Sequence, residues 1–259
     1  MAFVQTGIDG DDVLLSQIEI PDYLRRRVNT GITELNSMLV ADGQGWVPSG
    51  VTLITGGPGS GKTTLSLQIA GYMAKNDAVS LYNNTEMDEA LLALYAERSD
   101  IEGIDALRVS AKNEVGEILS HATRLRKANA DKDFFMVIDS LQTIGEAREE
   151  GKRGRDKSQE NQAYDSAKTI YAWAKEHQAM VMLIGHVTKD GKFAGKKGLQ
   201  HVLDAHLHLS KDTNKKSAHL GERFAKMEKN RFGGGGTSYY YEVGAHGFTF
   251  TGDVDVETE

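Results

Sequence analysis

From residue 51 onward, apolar and polar positions fall into a regular rhythm. Val51-Thr52-Leu53-Ile54 is a short run of β-formers ending in glycines, the pattern of a buried strand. Leu65, Ile69, Tyr72 and Met73 then recur at helical spacing. A second strand is predicted over Val79–Tyr82 and a second helix over Met87–Arg98. A third helix over Glu114–Lys127 leads to an apolar strand over Phe134–Ile138. A helix over Gln162–Glu176 precedes a further buried strand, Met180–Ile184. Strands that alternate with helices imply βαβ units around a parallel sheet. Beyond His206 the helical period fades. Short β-like runs near Arg223–Met227, Ser238–Val243 and Phe248–Phe250, with Gly233–Gly236 as a turn, predict antiparallel strands on the sheet edge. The fold class is α/β: a mainly parallel central sheet flanked by helices, with antiparallel edge strands toward the C-terminus.

Four stretches break the rhythm. Residues 1–27 are a polar lead-in with a brief apolar alternation at Ile18 and Ile20. A strand against a neighbouring subunit and a strap over the chain's own core both fit it. Arg148–Ser158 is rich in charge, with Arg153, Arg155 and Lys157 among its cations, and is expected to form a mobile loop. Thr188–Leu199 sets Lys189, Lys192, Lys196 and Lys197 among glycines, with Phe193 as its one aromatic. Residues 251–259 are an acidic tail, which leaves 28–250 as the core.

The glycine-rich end of the first strand carries the clearest chemistry. Gly56-Gly57-Pro58-Gly59-Ser60-Gly61-Lys62-Thr63 matches G-x-x-x-x-G-K-[ST], and Thr64 follows it. Its glycines let backbone N–H groups face a phosphate, and the next helix adds its N-terminal dipole. Lys62 would reach the β- and γ-phosphates of ATP, and the Thr63 hydroxyl would ligate Mg²⁺. The strand before the motif and the helix after it are the context that confirms it.

About eighty residues on, Phe134–Ile138 ends in Asp139. A strand-tip carboxylate of this kind addresses Mg²⁺ or its water. Glu86 stands just past the second strand, placed to polarise a water for attack on the γ-phosphate. Asp88 and Glu89 beside it are explained by the helix start, where acids cap. His186 follows the strand Met180–Ile184, with one residue between them. A γ-phosphate sensor and a histidine satisfied at a strand end are both consistent with that position.

Composition narrows the classes further. The 259 residues include no cysteine, which excludes disulfides, thiolate zinc sites and cysteine nucleophiles. Hydrophobic residues are 39% and charged residues 26%, as in a soluble globular protein. No apolar run is long enough to span a bilayer, and the first twenty residues hold Asp9, Asp11 and Asp12 with no basic region. A cytoplasmic location with no membrane partner is expected. The net charge of −7 argues against indiscriminate nucleic-acid binding and leaves room for local basic loops.

Several segments together resemble the bacterial RadA (Sms) ATPase core, within the RecA family. Arg27–Leu35 resembles the family's lead-in to the phosphate loop, and Ala96-Glu97-Arg98 its helix after the catalytic Glu. Ile138–Thr143 is similar to the Walker B segment. Gly185–Gly191 with Ala194-Gly195 resembles the sensor strand and second DNA loop. Lys229-Asn230-Arg231-Phe232-Gly233 matches the distinctive KNRFG motif.

The resemblance spans roughly residues 25–250 and implies a RecA-like P-loop fold. It puts Glu86 at the water-activating position and His186 at the sensor that links nucleotide to DNA. It makes Lys229 and Arg231 basic fingers that reach a neighbouring subunit's ATP. Gln162 falls where the family borders its first DNA loop, and Arg98 is a candidate to stack on adenine. Family members also carry a four-cysteine zinc motif and a Lon-like domain, neither of which is found in this sequence, so an ATPase core alone is expected.

The expected function is a DNA-stimulated ATPase of homologous recombination and repair, engaged in strand exchange or branch migration on single-stranded DNA. The expected assembly is a hexameric ring or helical filament with ATP at subunit interfaces. Arg153, Arg155, Lys157, Lys189, Lys192, Lys196 and Lys197 would neutralise DNA phosphates, and Phe193 would stack on a base or wedge between bases. Two alternatives stay open: a KaiC-like signalling ATPase or autokinase without DNA, and an accessory that uses ATP to assemble with a recombinase or helicase.

Overall fold

A computed structural model describes residues 13–145, 159–187, 198–213, 215, 217 and 219–253. Arg153, Arg155, Lys157, Lys189, Lys192, Phe193, Lys196 and Lys197 lie outside the described residues.

Among the described residues, nine strands form one sheet in the order β3-β2-β4-β5-β1-β6-β7-β8-β9. They are β1 (Val51–Gly56), β2 (Val79–Asn84), β3 (Arg108–Ser110), β4 (Phe134–Asp139), β5 (Met180–His186), β6 (Ala205–Lys211), β7 (Arg223–Asn230), β8 (Ser238–Gly244) and β9 (Gly247–Asp253). From β3 to β6 every pairing is parallel. From β6 to β9 every pairing is antiparallel, as the run-like C-terminal pattern predicts. The helices are α1 (Asp22–Arg25), α2 (Thr33–Leu39), α3 (Lys62–Lys75), α4 (Glu89–Arg98), α5 (Val115–Ala128), α6 (Gln159–His177) and α7 (Leu199–Val202).

The central strands read as unbroken apolar runs because both faces of the sheet are covered. Along β5, Met180, Met182 and Ile184 join one core with Leu65 of α3 and Leu92 of α4. Val181 and Leu183 point the other way, into a second core with Ile118 of α5 and Ile170 of α6. β4 divides in the same manner: Phe135 and Val137 enter the first core, Met136 and Ile138 the second.

Three elements go beyond the sequence pattern. β3 is only three residues long, too short for a period-2 signal. α2 buries Leu35, Met38 and Leu39, a helical spacing within a segment otherwise marked only by resemblance. β6 begins with Ala-His-Leu-His-Leu, whose alternation the two histidines disguise. The lead-in also differs from expectation. Within residues 13–27 there is a 3-10 turn at Leu15–Gln17 and the single turn α1, not a strand. Its Leu14, Leu15, Ile18 and Ile20 are exposed, while Leu24 packs against the first core.

Candidate functional site

Sheet register brings the candidate residues to one edge. Asn84 at the end of β2 is level with Asp139 at the end of β4. Gly56 at the end of β1 is level with His186 at the end of β5. In an open α/β sheet, the crevice outside these carboxyl ends is where ligands bind.

The glycine-rich loop connects β1 to α3, as its strand–loop–helix setting predicts. Gly57 and Gly59 have no atom within 4 Å of where a Cβ would sit, so the loop's outer face is open. Gly61 has φ of +94°, and a Cβ there would lie 2.6 Å from Val243 Cγ2. Both backbone and packing therefore require glycine at that position. Tyr241 Oη donates to the Ser60 carbonyl at 2.8 Å. The β8–β9 hairpin thus buttresses the loop from behind, a role for Tyr241 that sequence reasoning missed.

Lys62 is buried and donates to the carbonyls of Gly56 at 2.8 Å and Gly57 at 3.0 Å. Burial lowers its pKa, while Asp139 and Glu86 oppose the shift. α3 begins with no side-chain cap, so its first N–H groups remain free for an anion. Thr64 departs from expectation in its side chain: it is buried with its hydroxyl 2.5 Å from Tyr95 Oη, leaving only its backbone N–H for a phosphate.

Thr63 Oγ1 donates to Asp139 Oδ2 at 3.2 Å. Tyr82 Oη donates to the same oxygen at 2.8 Å. Asp139 Oδ1 is buried and has no hydrogen-bond partner among the described residues. Burial pushes the Asp139 carboxyl above the ordinary carboxylate range, with Tyr82 pulling the other way. An orphaned carboxylate oxygen beside a threonine hydroxyl is a hard-oxygen donor set that fits Mg²⁺. Tyr82 was missed; a polar-tipped residue inside an apolar strand was its only signal. The Asp139–Ser140 peptide is cis.

Glu86 and His186 are brought into direct contact, with Nε2 of the imidazole on Oε1 of the carboxylate. That hydrogen bond is the main reason the Glu86 carboxyl is held below its ordinary range; burial opposes it. Asp88 accepts from the backbone N–H of Ala90 at 2.9 Å and Leu91 at 3.4 Å, and so caps α4. Glu86 also acts electrostatically on Lys62 of the phosphate loop.

The remaining candidates sit elsewhere. Arg98 ends α4 with its guanidinium 5.5 Å from the centre of the Tyr95 ring, and Tyr95 in turn meets Thr64. Gln162 on α6 lies against Gly145, where a Cβ would come within 2.0 Å of its Nε2. Lys229 and Arg231 lie at the opposite, amino end of the sheet. Asn230 between them is level with Ala205, and Ala205 with Thr52, four residues before Gly56. At about 3.3 Å per residue that is roughly 13 Å from the protomer's own loop. Here Lys229 Nζ donates to the carbonyls of Gln200 and of Leu203, the latter at 2.7 Å. Arg231 Nη2 donates to the His201 carbonyl at 2.6 Å. Both cations are therefore held by carbonyls of α7 and its C-terminal end. Asn230 Nδ2 donates to the Met38 and Leu39 carbonyls at 2.8 Å, which closes the end of α2.

A family model described as an AAA domain matches residues 16–192. The chain belongs to that AAA family. Among curated proteins it is similar to the DNA repair protein RadA of Mycobacterium tuberculosis H37Rv, at 33% identity over 205 residues. That match covers 79% of this chain and 39% of the relative. It is also similar to the DNA repair protein RadA of Haemophilus influenzae, at 32% identity over 243 residues, covering 94% of this chain and 47% of the relative. The chain thus spans less than half the length of these relatives. The fold is similar to that of a KaiC-like protein from Pyrococcus horikoshii OT3, with a TM-score of 0.68 at 19% identity, covering 87% of this chain and 99% of that one. This AAA family member is a RadA-like ATPase core of the RecA family.

One prediction follows from Asp139. A carboxyl whose pKa is raised by folding opposes folding at every pH above its unfolded value. Asp139→Asn should therefore raise the melting temperature of the nucleotide-free protein by roughly 2–4 °C, the shift about 1 kcal/mol makes in a domain of this size. A further rise with Mg²⁺ and ATP is expected of the wild type and not of this variant. Differential scanning fluorimetry checks both; a lower melting temperature without ligand would show that the carboxylate is needed for packing.

Proposed function

We propose that this RadA-like core hydrolyses ATP between subunits and couples that hydrolysis to single-stranded DNA in recombination or repair. The observation that carries the reading is the convergence at one sheet edge of the phosphate loop, Asp139 and the Glu86–His186 pair.

In this reading the loop's N–H groups and Lys62 bind the ATP phosphates. Thr63 and Asp139 would hold Mg²⁺, which would supply charge neutralisation on the phosphates. Glu86, kept ionised by His186, accepts a proton from the attacking water. His186, in contact with Glu86, senses the γ-phosphate through that carboxylate and so reports nucleotide state to the segment that follows β5. Lys229 and Arg231 stabilise charge on a neighbouring subunit's transferring phosphoryl group. Their distance from their own loop supports action in trans, and hence a ring or filament of this chain.

Two observations support DNA as the partner. The relatives are named DNA repair proteins. The basic segments 148–158 and 188–199 follow β4 and β5, whose carboxyl ends form the candidate site. Phosphate contacts from such segments give sequence-independent, salt-sensitive binding.

The test is ATP hydrolysis with and without single-stranded DNA, with Lys62→Ala as the blank. Stimulation of about tenfold, fading as salt rises, is the expected result. Hydrolysis indifferent to DNA would favour a KaiC-like signalling ATPase. Absence of hydrolysis would favour an assembly accessory to a recombinase or helicase. Among the described residues no helix is long and apolar enough to cross a membrane.

A further inference from the structure

A line of polar side chains crosses the otherwise apolar middle of the sheet. Gln200 Nε2, which can only donate, lies 3.2 Å from His206 Nδ1. His206 Nδ1 is therefore an acceptor, and its Nε2–H donates to Thr55 Oγ1 at 2.7 Å. The Thr55 hydroxyl then has its proton free for His208 Nδ1, 2.8 Å away. Each step fixes the tautomer of the next, so the chain runs in one direction. Thr55 is fully buried and His206 is 4% exposed. Burial holds the His206 pKa down, to about 4, so its ring is neutral at physiological pH, as this pattern requires.

Two members of the line touch functional groups. Thr55 is the residue immediately before Gly56, where the phosphate loop starts. At the far end, the Gln200 carbonyl holds Lys229 Nζ. His206 is also the cross-strand partner of Lys229, so the two share a face of the sheet. Buried hydrogen-bonded groups of this kind are costly to leave half satisfied, so displacing one member displaces the others.

We propose that Gln200, His206 and Thr55 are positioning residues that tie the interface cation Lys229 to the phosphate loop of the same protomer. The proposal rests on the reading that Lys229 and Arg231 act in trans. When Lys229 leaves the Gln200 and Leu203 carbonyls and Arg231 leaves the His201 carbonyl for a neighbour's phosphate, α7 loses both cationic anchors and Gln200 shifts. His206 and Thr55 follow, and the start of the phosphate loop is set for the next turnover. Successive sites in the assembly are thereby coupled through one protomer.

The test uses the full chain with three variants. Thr55→Val removes the central hydroxyl at nearly constant volume, and Thr55→Ser restores it. Gln200→Met cuts the line at a partly exposed residue, where folding is not at stake. Hydrolysis is measured against ATP concentration, and nucleotide affinity separately with a fluorescent ATP analogue. Thr55→Val and Gln200→Met should each lower kcat roughly tenfold and bring the Hill coefficient to one. Affinity should stay within about twofold, and Thr55→Ser should match the wild type.

Wild-type kcat and Hill coefficient in both cut variants would overturn the proposal. So would a wild-type Hill coefficient already at one, or a parallel loss of affinity and kcat that serine does not rescue. The trans reading is tested apart, by mixing inactive Lys62→Ala with inactive Arg231→Ala. Recovery of activity on mixing supports action in trans; no recovery sinks that reading and the proposal with it. Recovery together with unaffected cut variants would sink the proposal alone.

Discussion

Glu86→Gln is expected to lower kcat for ATP hydrolysis by about 10²–10⁴-fold while leaving ATP affinity nearly unchanged. The substitution keeps shape and hydrogen-bonding reach and removes only the ability to take a proton. Glu86 stands at the same sheet edge as Lys62, which it influences electrostatically, so it is within the field of the phosphate site. Stopped-flow binding and steady-state hydrolysis on the same preparation separate the two effects. A kcat loss of less than about tenfold would remove Glu86 from the base role.

The pH profile supplies a second reading of the same pair. The hydrogen bond from His186 is the main cause of the lowered Glu86 pKa, and burial works against it. With the bond in place, Glu86 stays ionised down through the ordinary carboxylate range, so wild-type kcat/KM should fall on the acid side only below it. His186→Ala removes the largest of the lowering contacts and leaves burial opposed only by Ser140 and Lys62. The acid limb should then move to higher pH. An unmoved limb would show that Glu86 is not the group titrating in kcat/KM.

Much of this site was legible because its chemistry depends on local sequence. The phosphate loop needs its glycines, Lys62 and Thr63 in consecutive order, and the strand before it is a plain apolar run. Asp139 and His186 were found because each sits where an apolar strand stops. What bound them together was less visible. The contact of Glu86 with His186 spans 100 positions and depends on sheet order, with β2, β4 and β5 adjacent. Tyr82 and Tyr241 act through single hydroxyls at the ends of otherwise apolar side chains, and nothing in a hydropathy pattern marks a hydroxyl's partner. β6 was hidden because His206 and His208 occupy the alternate positions that usually carry exposed polar residues, whereas His206 here is buried. The lead-in's alternation at Ile18 and Ile20 suggested a strand, yet it has no sheet neighbour within the protomer among the described residues.

Asp204→Ala is expected to be the most destabilising single change at the amino end of the sheet. This carboxylate is 3% exposed and lies between α7 and β6. Its Oδ2 accepts from the Val51 N–H at 2.9 Å and Lys175 Nζ at 2.6 Å. Its Oδ1 accepts from Tyr171 Oη at 3.1 Å and Arg231 Nη1 at 3.4 Å. One side chain thus joins β1, α6, and the segments flanking β6 and following β7. Alanine takes the carboxylate from a partly buried lysine that keeps only the Ser49 carbonyl as acceptor, and leaves the buried Val51 N–H without its acceptor; the penalty falls on those groups rather than on the lost attraction. Breaking a buried pair from one side costs about 3–5 kcal/mol, or roughly 10 °C in melting temperature for a domain of this size. Urea denaturation should show a lowered midpoint at an unchanged slope, since the same surface is exposed on unfolding. The double change Asp204→Ala with Lys175→Met should recover part of the loss, because it removes the stranded charge together with its partner. A double variant as unstable as the sum of the singles would mean that the Val51 and Tyr171 contacts, not the charge, carry the effect.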